Sequence, residues 1–118
     1  MRIQSKAARL RFTGAFKHAL KGEPQRWHYG VITDAMRLGL WKRNTAKLRD
    51  HQSMLAVSYE LLAETISATK LEMSENLVFE ATKRIVHETA EHVGKHAEET
   101  GRQLGIDIAT NTPLLKSS

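Results

Sequence analysis

The chain contains no cysteine, which excludes disulfides, thiolate-bound zinc and a thiol nucleophile. That composition suits a reducing compartment, and the expected location is cytoplasmic. Proline occurs twice and glycine seven times, and neither falls between Leu40 and Val93. Turn-rich architectures are thereby excluded from the middle of the chain. No apolar run approaches the about 20 residues that span a bilayer. Acidic residues are missing from Met1 to Leu20, which holds Arg2, Lys6, Arg9, Arg11 and Lys17. Without an apolar core, that segment does not read as a secretory signal.

The residues of catalysis are equally sparse. No glycine-rich loop is available to cradle phosphate, and no serine sits on a glycine elbow with a histidine and an orienting acid. His92 and His96 have the four-residue spacing of zinc ligands on a helix, with Glu88 one turn earlier. No third ligand has a matching spacing, and the surrounding Glu, Lys and Arg pattern reads as a solvated, ion-paired helix face. We therefore expect no enzyme activity, no cofactor and no metal.

What is present is helical. Apolar residues make up 41% and charged residues 26% of the 118 positions, enough for one small core. The expectation is an all-α domain over residues 1–105, of about four helices, followed by a tail over 106–118. Two short basic helices should fill residues 1–50, and a long helical hairpin, or one interrupted helix, residues 51–105. A first helix is predicted from about Lys6, capped by Ser5, to Lys21. Ala8, Phe12, Ala15, Phe16 and Ala19 form its apolar face, and Gly22 is its left-handed stop. Pro24 suits the first turn of a second helix, whose buried stripe would be Trp27, Val31, Ala35 and Leu38, with Gly39 ending it.

A third helix is expected from Asn44. Its seam alternates four and three residues: Leu48, Gln52, Leu55, Tyr59, Leu62, Ile66, Thr69 and Met73. That frame dies at Ser74–Asn76, where Ser74 is a credible cap for a fourth helix from about Glu75 to Thr100. The new stripe is Phe79, Val86, Ala90, Val93, Ala97 and Leu104. Because so small a chain cannot easily cover both stripes, Leu55, Tyr59, Leu62, Ile66, Phe79, Val86 and Val93 are candidates for self-association, as a homodimer, or for partner binding.

Charge is divided along the chain. Residues 1–50 hold twelve Lys/Arg against three Asp/Glu, whereas 51–118 hold six against ten. A basic half joined to an acidic half suggests an anion-binding end and an associating end. Within the basic half, Val31 to Asp50 resembles a helix-turn-helix of the bacterial repressor type. Ala35 is the small residue at the helix crossing, Gly39 the turn, and Leu38, Leu40 and Leu48 the flanking apolar places. Asp34, Trp41 and Thr45 depart from the pattern.

The resemblance implies that Lys42, Arg43, Asn44, Thr45, Lys47 and Arg49 meet phosphates and base edges in a major groove. Arg2, Lys6, Arg9 and Arg11 would track phosphates from an N-terminal arm. The first functional expectation is thus a nucleic-acid-binding regulator, with DNA ahead of RNA. The second is a helical adaptor, inhibitor or assembly protein that docks on a larger protein complex. A membrane partner is disfavoured, because the apolar face of the first helix is narrow and alanine-rich.

Overall fold

A computed structural model describes residues 2–43 and 53–114, with side chains from Lys6 onward. Among the described residues four helices carry the fold: α1 (Arg2–Ala19), α2 (Arg26–Trp41), α3 (Met54–Glu72) and α4 (Phe79–Leu104). Two-residue strands β1 (Ile106–Asp107) and β2 (Thr112–Pro113) follow, paired antiparallel with Ile106 opposite Pro113. The all-α expectation holds, and the long segment is a hairpin. The chain turns between α3 and α4 with Asn76 in the left-handed region (φ 56°).

α1–α2 and α3–α4 are two helical hairpins packed side by side. α1 lies on α3, α2 lies on α4, and α3 joins the pairs. Arg9 reaches Thr33, and the Phe16 ring meets Tyr29, so α1 and α2 run antiparallel. Both turns fall at the same end of the molecule and are stitched together. Lys21 N donates to Leu77 O (2.8 Å), and Leu77 N donates to Ala19 O (2.9 Å), around a parallel bridge of Leu20 with Leu77. Gly22 takes a left-handed φ of 83° in its turn.

The core is Phe12, Phe16, Ile32, Met36, Leu71 and Val86, with alanines filling the close crossings. α1 buries the face expected of it. α2 does so only in part: Ala35 is buried as expected, beside Ile32, Met36, Gly39 and Leu40, whereas Val31 is half-buried and Trp27 is 60% and Leu38 46% exposed. α2 carries more large apolar residues than one face can hold, so spacing alone does not choose its inner face. Here backbone proximity chooses it. A Cβ on Gly39 would lie 2.6 Å from His87 O, and one on Gly94 would collide with the Leu40 carbonyl. Gly39 is therefore a contact residue inside the helix rather than its stop. α2 continues to Trp41 and ends on Lys42 (φ 61°), whose N–H returns to Leu38 O.

Several boundaries also move. α1 begins at Arg2, so Ser5 lies within it. Pro24 precedes the actual N-cap, Gln25, whose N–H donates to His28 Nδ1 at 2.8 Å. Ser53, not Asn44, caps α3, through Ala56 N (3.1 Å); Asn44, Leu48 and Gln52 lie outside the described residues. Ser74 does not cap α4. Its hydroxyl turns back to Lys70 O, and the helix starts after Val78. The buried face of α3 is Ala56, Tyr59, Ala63, Ser67, Ala68 and Leu71, one step round from the heptad seam. Small residues win the inner position because three helices crowd α3.

The predicted tail instead folds back at 106–114. Ile108 and Ala109 are buried against the end of α4, where Gly101 admits the Ile106 carbonyl.

Candidate protein-docking surface

The solvent side of α2 carries exposed Trp27 and Leu38, with half-buried Val31 between them and Arg26 and Asp34 exposed beside them. Trp27, Val31 and Leu38 recur at four and seven residues, so they share one side of the helix, and Asp34 is the acid among them. Trp27 is anchored at its inner edge. Its ring lies 4.1 Å from His28 and 5.7 Å from Phe79, and His28 stacks on Phe79 at 4.3 Å. The indole is thus held in place while its outer surface is open, a low-entropy contact for a partner.

α1 supplies the rim. With about 100° of turn per residue, Lys6, Thr13 and Lys17 lie on the same side of α1 as Arg9, toward α2. Lys6, Lys17 and Lys21 are exposed, and none forms a salt bridge among the described residues. An apolar strip bordered by lysines results.

The other expected anion-binding residues are mostly engaged inside the fold. Arg9 donates to Thr33 Oγ1 at 2.9 Å. Arg11 grips Glu72 at 2.7 and 3.0 Å and adds Thr69 at 3.1 Å. The hydrogen bond from Arg11 holds the Glu72 carboxyl below its ordinary pKa. Arg43 forms a fork on both oxygens of Asp107, at 2.8 and 2.7 Å, tying the end of α2 to the β-hairpin. Lys42 is exposed at the helix end. The Arg2 side chain, and Asn44, Thr45, Lys47 and Arg49, lie outside the described residues. With Gly39 buried in the last turn of α2, which continues to Trp41, the turn that the repressor resemblance requires at that position is not formed.

The expected association residues also divide. Tyr59, Val86 and Val93 are buried within the chain. The Tyr59 hydroxyl donates to Thr100 Oγ1 (2.7 Å) and shares a proton contact with His96 Nδ1 (3.0 Å). Leu55, Ile66 and Phe79 are half-buried, and Leu62 is 44% exposed.

Two further polar features were not legible in the sequence. Glu64 on α3 faces Arg9 from α1 and Arg37 from α2, with Glu60 beside it. Its Oε2 is buried without a hydrogen-bond partner. Burial pushes its carboxyl above the usual range, with Arg9 opposing. A cavity of about 330 Å³ opens between Trp41, Arg43, Gly94, Arg102 and Ile108. Neither brings a nucleophile and a base together. Among the described residues no cluster of His, Cys, Asp or Glu could hold a metal ion, and no helix is long and apolar enough to cross a membrane.

Compared with protein-family models, curated proteins and solved structures, the chain matches none of them.

Proposed function

We propose that this chain is a non-enzymatic helical docking module, an adaptor or assembly protein acting in the cytoplasm. Its α2 face would hold an acidic amphipathic helix of a partner protein. The observation that carries this reading is that α2 leaves Trp27 60% and Leu38 46% exposed on the side the core does not use. The anchored, open ring of Trp27 and the exposed Leu38 on the same side of α2 supply the apolar contacts that a partner helix would cover. Lys6, Lys17 and Lys21 along the rim favour a partner whose flanks are acidic, since complementary charge steers and registers such contacts.

Nucleic-acid binding is the second reading. It is favoured by α1, which has no acidic residue and, with Lys21 in the turn after it, exposes Lys6 and Lys17 to any polyanion.

One set of titrations separates the two. In a Trp41→Phe variant, Trp27 is the sole indole reporter. A synthetic amphipathic helix of Leu and Glu should blue-shift its emission, more weakly as salt rises. The shift should vanish in Leu38→Glu and be absent with a Leu and Lys peptide. No shift, or an equal shift with the basic peptide, overturns the docking reading. Duplex DNA binding lost in a Lys6→Ala, Lys17→Ala double variant, yet untouched by Leu38→Glu, moves the assignment to the second reading.

A further inference from the structure

We propose that the cavity between the end of α2, the last turns of α4 and the β-hairpin binds a small organic carboxylate with an apolar body. The site shares no residue with the docking face and does not rest on that reading. Its volume is about 330 Å³, at the small end of the range found for ligand pockets, about 300–1,000 Å³.

The cavity arises where α2 stops short of its neighbour. α2 and α4 meet at Gly94, where a Cβ would collide with the Leu40 carbonyl. α2 then ends on Lys42, whereas α4 continues to Leu104. The β-hairpin borders the gap that is left, held by buried Ile108 and by the Arg43–Asp107 fork.

The wall combines two chemistries. Trp41, Ala97, Ile106, Ile108 and Leu114 give apolar surface, and Lys42, Arg43 and Arg102 give cations. Glu98 and Asp107 are the acids. The Arg43 fork neutralises Asp107, and Lys42 and Arg102 have no salt bridge among the described residues. Two unpaired cations thus stand against one unpaired acid. The carbonyl ends of α2 and α4 oppose an anion by up to about half a charge each. That opposition is spread over several groups, whereas an ammonium and a guanidinium make directed, charge-assisted hydrogen bonds to a carboxylate. Net attraction is small, so the apolar body contributes much of the affinity, and the dissociation constant falls on the order of 0.1–1 mM.

A second observation concerns Trp41, whose Nε1 is buried with no hydrogen-bond acceptor within the fold. A buried indole N–H normally has one, and the ring that carries this one lines the cavity. A carboxylate oxygen is an acceptor of the kind the fold leaves out.

Octanoate, octanol and octylamine test the assignment, since they share a chain and differ in head group. In a Trp27→Phe variant, Trp41 is the only indole. Octanoate should change its emission saturably and move its indole N–H resonance, with octanol at least about fivefold weaker and octylamine weaker still. Arg102→Gln and Lys42→Gln should each weaken octanoate by about threefold or more and leave octanol unchanged, while Lys17→Gln on α1 should alter neither. Circular dichroism confirms that each variant is folded. Resonance mapping of the wild-type chain gives an independent reading: shifts should centre on Gly94, Trp41 and Ile108 rather than on Trp27 or Lys6. Octanol or octylamine binding as tightly as octanoate, indifference of octanoate to both Arg102→Gln and Lys42→Gln, shifts centred on α1, or no saturable binding up to about 10 mM would each overturn the proposal.

Discussion

Replacing Gly39 by alanine tests the account of α2 most directly, because two effects of opposite sign compete at one atom. By helix propensity alone the change should stabilise, by about 1 kcal/mol. The new Cβ, however, would stand 2.6 Å from His87 O, 3.0 Å from the Ala90 Cβ and 3.3 Å from Glu91 N. The first and last of these are backbone atoms of α4 and cannot rotate away. Restoring a normal contact requires the helices to part by roughly 0.7 Å, a gap that forfeits about a quarter to a half of each dispersion contact along the crossing. Overpacking of this kind costs about 1–3 kcal/mol, occasionally more. Subtracting the propensity gain leaves a net loss of about 0–2 kcal/mol, or a fall in Tm of up to roughly 10 °C for a domain of this size.

Gly14→Ala is the matched control. It is also helical, but its Cβ would meet nothing within 4 Å, so it should raise stability by up to about 1 kcal/mol. Thermal melts followed by circular dichroism, with urea titrations for the free energies, decide the matter. If Gly39→Ala were as stabilising as Gly14→Ala, the close crossing of α2 and α4, and with it the inner face assigned to α2, would be wrong.

Two further outcomes follow from the packing. Leu71→Ala should cost about 2–5 kcal/mol in urea unfolding, since Leu71 is fully buried, while Leu62→Ala should cost much less, because Leu62 is half open. The raised pKa of Glu64 means that its contribution to stability is full below the ordinary glutamate range and is lost as pH rises through the shifted value. Glu64→Gln should therefore gain stability relative to the wild type as pH is raised from about 4 toward neutrality, and a difference that stays flat across that window would show that the carboxyl is not desolvated.

Helix number, the hairpin and the faces of α1 and α4 were readable because breakers are absent from the middle and the apolar stripes there are narrow. Phe12 and Phe16, and Val86, Ala90, Val93 and Ala97, are buried as their spacing requires. The face of α2 was not readable, because Ile32, Met36 and Leu40 compete with Trp27, Val31 and Leu38, and the deciding term is an encounter with Gly94, distant in sequence. The α3 seam misled by one step for a related reason. Its larger residues read as core, but Leu55, Leu62 and Ile66 lie one step outside a buried face that packs Ala56, Ala63 and Ala68 between Tyr59 and Leu71. Arg9, Arg11 and Arg43 looked like free cations because their partners, Thr33, Glu72 and Asp107, are 24, 61 and 64 residues away. The exposed Trp27 and Leu38 did leave a trace, namely a helix with too many apolar residues for one face.

The backbone bridge between Leu20 and Leu77 bears on how the molecule opens. Helix-joining turns are ordinarily the first segments to exchange their amide protons, since each can fray alone. Here the amides of Lys21 and Leu77 are held by the opposite hairpin, so neither turn can open unless the hairpins separate. The turn end therefore belongs to the same cooperative unit as the core. Partial unfolding must begin elsewhere, at the far end of α2 and α4, where the small β-hairpin is fastened to the bundle by the exposed Arg43–Asp107 fork.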